Sequence, residues 1–263
     1  MKRAVFLLFS CALWCVAAVA QPATLTGAQI LQKSAEAYAQ LKSYSGRTTV
    51  ISESYIMGIH LAQTASAQIE FERPGKLRIT GRDSSGNSFT IISNGDSTWL
   101  SWPLQNEGGF GQEKDVWIAI SKMTGVALLT PTYVPSALLT ASNGMPFDNV
   151  EGAQLMGRET VGGVDCYHVV VNDSGSKRAY WVDVQTLLLR QFQREETAAQ
   201  VRKALQSTVD ELKTSHSPAL KTLSQAAPDF DKTGASISLY LFSNSQLDSD
   251  IPDGMFLPPN QNQ

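Results

Sequence analysis

The chain has 263 residues, 43% hydrophobic and 17% charged, and its 21 Lys and Arg against 24 Asp and Glu give a net charge of −3. This mildly acidic balance lacks the basic footprint of a nucleic-acid-binding protein, so no nucleic acid is expected as a partner. Three cysteines are too few for a disulfide-rich scaffold, so an ordinary hydrophobic core must hold the fold.

The first twenty residues, MKRAVFLLFSCALWCVAAVA, are a predicted signal peptide. Lys2 and Arg3 precede an apolar run that ends in Ala18-Val19-Ala20, the small-residue pattern of a cleavage site. Lipidation at Cys11 is the weaker alternative, because the preceding residues fit a lipobox poorly and a cut there leaves an apolar N terminus. The sequence therefore predicts an exported periplasmic protein.

Cleavage after residue 20 takes the net charge to −5 and leaves Cys166 as the one cysteine. An intramolecular disulfide is then impossible, and residues 21–263 are the right length for a single domain. No other stretch approaches the roughly 20 apolar residues of a spanning helix.

Residues 26–43 predict an amphipathic helix. Thr26 and Gln29 have the spacing of a capping box, in which each side chain bonds the other residue's backbone. The apolar positions then recur at helical spacing, namely Ile30, Leu31, Ala35, Tyr38 and Leu41.

From Tyr44 to Pro103 the period changes to two, which indicates strands. Asn94-Gly95-Asp96 is a hairpin signal. Arg73-Pro74-Gly75-Lys76 has Pro and Gly where a type II turn needs them, although a longer or bulged loop fits hairpin twist better. The predicted strands are near 45–55, 62–73, 76–83, 87–93 and 97–102.

The segment from 104 to 146 is less regular. Leu104 to Gly111 is a predicted Gly-rich loop, Asp115 to Met123 is ambiguous, and Pro135 to Thr140 suits a short helix that proline opens. The segment is too rich in apolar residues for a solvated loop, so we expect it to cover something.

Four more strands follow, near 150–160, 164–171, 178–184 and 187–194, with turns at Gly162-Gly163 and Asp173-Ser174-Gly175. Helices are then predicted from Glu195 to Lys213 and from Ser217-Pro218 to about Gln225, before a strand at 234–243. This order predicts the α+β class, with a curved antiparallel sheet, an N-terminal helix and helical lid or insert segments.

Catalytic and metal motifs are scarce. Cys166 and His168 share a strand face, so a nucleophile pair is conceivable, but a buried cysteine beside a rim histidine is the simpler interpretation. His60 has no second ligand nearby. No catalytic residue, metal or cofactor is predicted.

A sheet of roughly ten strands tends to curl, and a curled sheet under helices can enclose an apolar cavity. The aromatic residues that could line it are also candidates for ordinary core positions: Phe71, Trp99, Trp102, Trp117, Tyr133 and Phe147.

Two stretches together resemble the LolA-like outer-membrane lipoprotein carriers and the exported half-barrel proteins related to them. Phe71-Glu72-Arg73-Pro74 is similar to their strand and Arg-Pro turn, and the run from Ile91 to Pro103, IISNGDSTWLSWP, is similar to their "DGxTLW" hairpin. The ending Met255-Phe256-Leu257-Pro258-Pro259 and the helix end Leu41-Lys42-Ser43-Tyr44 fit the same family.

The resemblance implies an incomplete β-barrel with a helical lid, whose apolar cavity receives acyl chains without covalent chemistry. In the carriers, the arginine before that proline is implicated in lid closure and cargo transfer. Arg73 and Pro74 match those positions, and Arg73 is otherwise a rim charge at a turn. A departure from the family is the helical insert at about 195–227, where the carriers have a short turn.

Three functions follow. The first is a periplasmic carrier, expected to be a monomer, for the acyl chains of lipids or lipoproteins, with inner- or outer-membrane proteins as further partners. The second is an envelope-stress sensor or regulatory module that docks a protein through the insert. The third and weakest is a hydrolase that uses Cys166 and His168.

Overall fold

The computed structural model describes residues 25–103, 109–125, 127–140, 145–173, 175–214 and 227–259. The predicted signal peptide, Cys11 and the helix proposed at 217–225 lie outside these residues. The α-helices of the described part are α1 (Gly27–Gln40), α2 (Val116–Thr124), α3 (Tyr133–Leu139) and α4 (Ala198–Thr214).

The strands form one antiparallel sheet, and short 3-10 helices lie at Ala227–Lys232 and Asp253–Phe256. Their bounds are β1 (Ser43–Ile56), β2 (Ile59–Glu72), β3 (Lys76–Arg82), β4 (Ser88–Asn94), β5 (Thr98–Ser101), β6 (Phe110–Glu113), β7 (Gln154–Val161), β8 (Val164–Asp173), β9 (Ser176–Asp183), β10 (Leu189–Glu196) and β11 (Ser236–Leu247).

The spatial order is β6-β5-β4-β3-β2-β1-β11-β10-β9-β8-β7. β6 and β7 are the two edge strands and do not pair with each other, so the curved sheet does not close into a barrel. β1 to β6 and β7 to β11 each follow chain order, and the two runs meet where β11 pairs with β1. This arrangement confirms the predicted α+β incomplete barrel.

Hydrogen bonds between residues close in the chain fix the start of α1 and the β4–β5 hairpin where the sequence predicts them. Thr26 Oγ1 accepts from the backbone N–H of Gln29 at 3.2 Å, and Gln29 Oε1 accepts from that of Thr26 at 2.9 Å, which confirms the capping box. Asn94 Oδ1 accepts from the amides of Asp96 and Ser97, so the predicted hairpin joins β4 to β5. Each side-chain bond satisfies a backbone group that the helix or ladder leaves unpaired.

The middle segment differs from the prediction. Phe110–Glu113 pairs with β5 as an eleventh strand, where a Gly-rich loop was predicted through Gly111. Four residues after two glycines are too short to show a period of two. The ambiguous stretch is α2, which Asp115 caps through a bond from the Ile118 amide, and α3 begins two residues before Pro135.

The main core lies between the concave face of the sheet and the helices α1, α2 and α3. Tyr133 packs edge-on against both Phe192 and Tyr240, with ring centroids 4.8 Å apart in each pair. Tyr180 lies 5.0 Å from Phe192. We name the seven buried aromatic residues of this core whose rings contact one another the concave aromatic cluster: Tyr38, Tyr44, Tyr133, Phe147, Tyr180, Phe192 and Tyr240.

The outer face has smaller buried areas. Cys166, Val170 and Trp181 form a separate cluster on β8 and β9. No helix among the described residues is long and apolar enough to cross a membrane.

Candidate functional site

One candidate site is a cavity of about 150 Å³ at the end of β9 and β10, on the concave face. Tyr133 of α3 and the segment 145–149 form its cover, while Phe192 and Arg194 belong to the sheet. The remaining lining residues are Asp173, Ser176 and Arg178.

The cover is attached to the sheet by polar contacts. Arg178 donates to the carboxylate of Asp148 at 2.9 Å, to the Asp148 carbonyl at 2.9 Å and to the Asn149 carbonyl at 3.0 Å. The Tyr180 hydroxyl donates to the Pro146 carbonyl at 2.8 Å. These bonds hold an irregular segment over the concave aromatic cluster.

Arg194 lies directly opposite Arg178 in the register of β9 and β10. Its guanidinium donates to Glu196 at 2.7 Å and lies close to the Tyr133 hydroxyl. Each arginine of the cavity is therefore matched by one carboxylate, which compensates two partly buried cations.

The Tyr133 hydroxyl is the unusual polar group of this site. The residue is only 2% exposed, and within the described part of the chain no group completes a hydrogen bond of ordinary geometry with its oxygen. Burial raises the pKa of Tyr133, with smaller opposing effects from Arg194, so the hydroxyl keeps its proton at neutral pH. It is a donor available to a ligand.

A second cavity, of about 560 Å³, lies on the outer face at the end of β1, β11, β10 and β9. Its apolar surface includes Tyr55, which is 51% exposed and stacks on His60 at 4.7 Å, and Ile237, which is 40% exposed. Its charged lining residues are Glu53, Asp173, Lys177, Glu195 and Glu196. Carboxylates thus outnumber cations around an exposed apolar surface.

Arg73 contacts the end of α1. Its Nε donates to the Leu41 carbonyl at 2.8 Å and its Nη2 to the Tyr38 carbonyl at 3.2 Å, while its guanidinium lies 5.2 Å from the Phe71 ring. A cation that satisfies the last carbonyls of a helix also complements the helix dipole. The sequence does not reveal this contact, because the acceptors are backbone groups more than thirty residues away.

The proposed turn residue Pro74 is exposed and follows a cis peptide bond. Phe71 is fully buried in the main core. Whether either residue takes part in gating stays a prediction.

The six cavity-lining candidates separate in space. Tyr133 lines the 150 Å³ cavity, and Phe147 lines a further cavity of about 440 Å³ with residues 148–151. Trp99 pairs with Ile92 on the face opposite Leu100, so it points away from the main core. Trp102 donates to Asp83 at 3.0 Å, and Trp117 is exposed on α2.

Cys166 and His168 do not form a nucleophile pair. The thiol is fully buried, and burial, together with the charge of Asp183, raises its pKa. His168 Nδ1 lies 2.7 Å from Glu159 Oε1, its ring stacks on Trp181 at 4.5 Å, and Trp181 donates to the same carboxylate. A nucleophilic cysteine needs an accessible thiolate, which this environment disfavours.

The described residues include no group of three His, Cys, Asp or Glu side chains placed to hold a metal ion.

An open antiparallel half-barrel with short helices on its concave face defines the class of fold. Residues 27–232 match the family described as "Predicted periplasmic protein (DUF2092)", and the chain belongs to that family. No curated protein matches the chain significantly.

Several solved structures match this chain at low identity. A LolA superfamily protein from Nitrosomonas europaea is 13% identical, with 90% of this chain and 100% of that chain covered and a TM-score of 0.37. The complex of MucA and MucB from Pseudomonas aeruginosa gives 12% identity, 89% and 61% coverage and a TM-score of 0.43.

A DUF1329 family protein from Desulfovibrio piger gives 12% identity, 88% and 95% coverage and a TM-score of 0.33. A LolA superfamily protein and an outer membrane lipoprotein-sorting protein domain are among the matches, as the resemblance seen in the sequence predicts. These similarities say nothing about what this chain binds.

Proposed function

We propose that this protein is a non-catalytic periplasmic binding protein that holds the acyl chains of lipids or lipoproteins against the concave face of its half-barrel. One observation carries the proposal. The concave aromatic cluster is covered by helices, among them the seven-residue α3, and by the irregular segment 145–149, rather than by a second sheet. Such a cover can be displaced without breaking a β-ladder.

The energetics suit a carrier. Each methylene buried contributes about 0.8 kcal/mol, so one long acyl chain contributes on the order of 10 kcal/mol before ordering costs. That free energy offsets the loss of the polar contacts of Arg178 and Tyr180 with the cover. In this proposed function, residues 21–263 form one binding domain after the signal peptide is cleaved.

We propose that Arg73 takes part in the release of the bound acyl chain. Its bonds to the Tyr38 and Leu41 carbonyls tie the end of α1 to the turn between β2 and β3. A guanidinium can exchange these partners for water when α1 moves, so we propose that Arg73 and Pro74 gate access to the concave aromatic cluster at the end of the sheet where Tyr38 and Tyr44 lie.

The first test is native mass spectrometry of the protein purified from its own periplasm, together with titration of a fluorescent fatty-acyl probe. We expect acylated species to co-purify and the probe to bind. Leu139 of α3 is partly buried against the main core, so Leu139→Asp should weaken probe binding about tenfold, because a charge beside an acyl chain is costly.

Ile51 on the outer face is 45% exposed, and Ile51→Asp is the matched control that should leave binding unchanged. A protein that carries no acyl species and binds no probe contradicts the proposal.

The outer cavity favours a second candidate function, a regulatory module that docks a protein partner. Glu195, Glu196 and Thr197 line this cavity just before α4, so the insert begins at an exposed apolar surface with excess carboxylates. Such a surface suits a partner segment with apolar and basic side chains.

If this function is correct, a protein partner co-purifies in stoichiometric amount, and Glu53→Lys abolishes its binding while acyl-probe binding is retained. A partner that binds the charge-reversed protein equally well contradicts the docking surface.

A further inference from the structure

We infer that the cavity beside Tyr133 binds the neutral carbonyl of an esterified or amide-linked acyl chain and discriminates against a free fatty-acid carboxylate. This inference rests on the proposed acyl-binding function and specifies the chemical form of the acyl group. It comes from the hydrogen-bonding capacity and the charge balance of the cavity.

The buried Tyr133 hydroxyl has no hydrogen bond of ordinary geometry with any described residue, although Arg194 and Tyr240 lie nearby. A buried polar group without a partner is destabilising, so native structures rarely keep one without a reason. An acceptor atom of a ligand would complete the bond from Tyr133 and take a second from Arg194.

The charges around the cavity disfavour an anion. Arg178 is matched by Asp148 at 2.9 Å and Arg194 by Glu196 at 2.7 Å, while Asp173 adds a further carboxylate to the lining. A bound carboxylate would lose its hydration without meeting a net positive charge. A neutral carbonyl oxygen requires only the two donors, the Tyr133 hydroxyl and the Arg194 guanidinium, and no net positive charge.

The size of the cavity limits what enters it. About 150 Å³ is roughly five times the volume of a water molecule in the liquid, which accommodates a carbonyl group and its nearest carbons. Phe192 and Pro146 supply the apolar walls. Because Tyr133 also packs against Phe192 and Tyr240, the remaining chain would continue onto the concave aromatic cluster.

Three amphiphiles with the same chain length test this inference by displacement of the fluorescent acyl probe: monolauroylglycerol, its ether analogue dodecylglycerol, and laurate. The ester and the ether differ in the carbonyl oxygen. We expect the ester to displace the probe at a concentration about two- to tenfold lower than the ether, as one net hydrogen bond predicts, with laurate the weakest of the three.

Tyr133→Phe should bring the ester to the level of the ether and leave the ether unchanged. It should also raise the Tm of the empty protein, because it removes a hydroxyl without a partner, whereas a purely structural hydroxyl would lower the Tm when removed. Tyr38→Phe is the matched control: its hydroxyl already accepts from the Leu189 amide at 3.3 Å, so the variant should lose stability and keep the preference for the ester.

Equal displacement by ester and ether, a preference for laurate, or an unchanged preference in Tyr133→Phe would each overturn the inference while acyl binding stands. Failure of all three amphiphiles to displace the probe, with no acyl species in the purified protein, would overturn the proposed function as well.

Discussion

The two faces of β1 show how differently the sheet treats its sides. Val50 on the concave face is fully buried, whereas its neighbour Ile51 on the outer face is 45% exposed, although both are β-branched residues suited to a strand. The concave face meets three helices and an aromatic cluster, and the outer face near Tyr55 and Ile237 meets solvent and carboxylates.

This difference separates two roles. Packing on the concave face controls stability and apolar binding, and charge on the outer face controls solvation and response to pH. Substitutions chosen in pairs can break or sharpen this division, and they are ordered below from the largest expected effect.

The concave face should dominate stability. Phe192 packs against Tyr133, Tyr180 and Tyr240, so Phe192→Ala should lower the free energy of unfolding by about 3–5 kcal/mol. Ile51→Ala should change it by less than about 0.5 kcal/mol. Urea denaturation followed by tryptophan fluorescence measures both, and equal losses would contradict the division between the faces.

Asp183, the last residue of β9, should make the free energy of unfolding depend on pH. Burial alone would raise the pKa of Asp183, but bonds from Arg190, Thr186 and Gln185 outweigh it, so the pKa is lowered. A lowered pKa stabilises the fold above the unfolded value, near 4, and this contribution is lost as the pH falls through the folded value.

We therefore expect Asp183→Asn to cost about 2–3 kcal/mol at pH 7, since bonds to a charged group are lost. The cost should shrink as the pH falls below about 4. Denaturation curves across this range test the sign, and a difference that stays constant with pH would refute it.

Arg73 ties the end of α1 to the turn between β2 and β3. Arg73→Leu should retain the fold and the apolar binding, at a cost of about 1–2 kcal/mol for the bonds lost by the Tyr38 and Leu41 carbonyls. It should slow release of a bound acyl probe, because leucine would pack beside Phe71 where the guanidinium exchanges partners with water. Stopped-flow exchange measures the rate, with Arg73→Lys as control, and exchange at the wild-type rate would exclude gating.

The smallest effect is expected at Glu70 on β2. Burial raises the pKa of this carboxyl, and the charge of Arg78 offsets this in part. A raised pKa means that stability is complete below the unfolded value and is lost as the pH rises through the folded value. Glu70→Gln should therefore stabilise the protein slightly at pH 7 and not at pH 4 in thermal unfolding; destabilisation at pH 7 would contradict this.

The candidate site was less predictable than the fold. The sequence singles out Arg73 by its place before Pro74 but does not show its acceptors, and it makes Trp99 a lining candidate although Trp99 lies on the outer face. The position of Arg178 opposite Arg194 depends on the register of β9 and β10, and the surroundings of the Tyr133 hydroxyl depend on where α3 packs. A possible sequence signal was the spacing of Arg178 and Arg194 from Tyr180 and Phe192, two residues away on the same strand faces.

The sequence by itself determined the helix α1 with its capping box, the alternating strands, the turns at Asn94 and Gly162, and the helical insert after β10. These features arise from bonds and side-chain periods within a few residues along the chain. Tertiary structure alone decided the pairing of β11 with β1, the short strand β6, and the contacts that build the site. The bond from the Leu189 amide to the Tyr38 hydroxyl, between residues 151 positions apart, shows why: such contacts depend on how whole elements pack, and no local pattern encodes them.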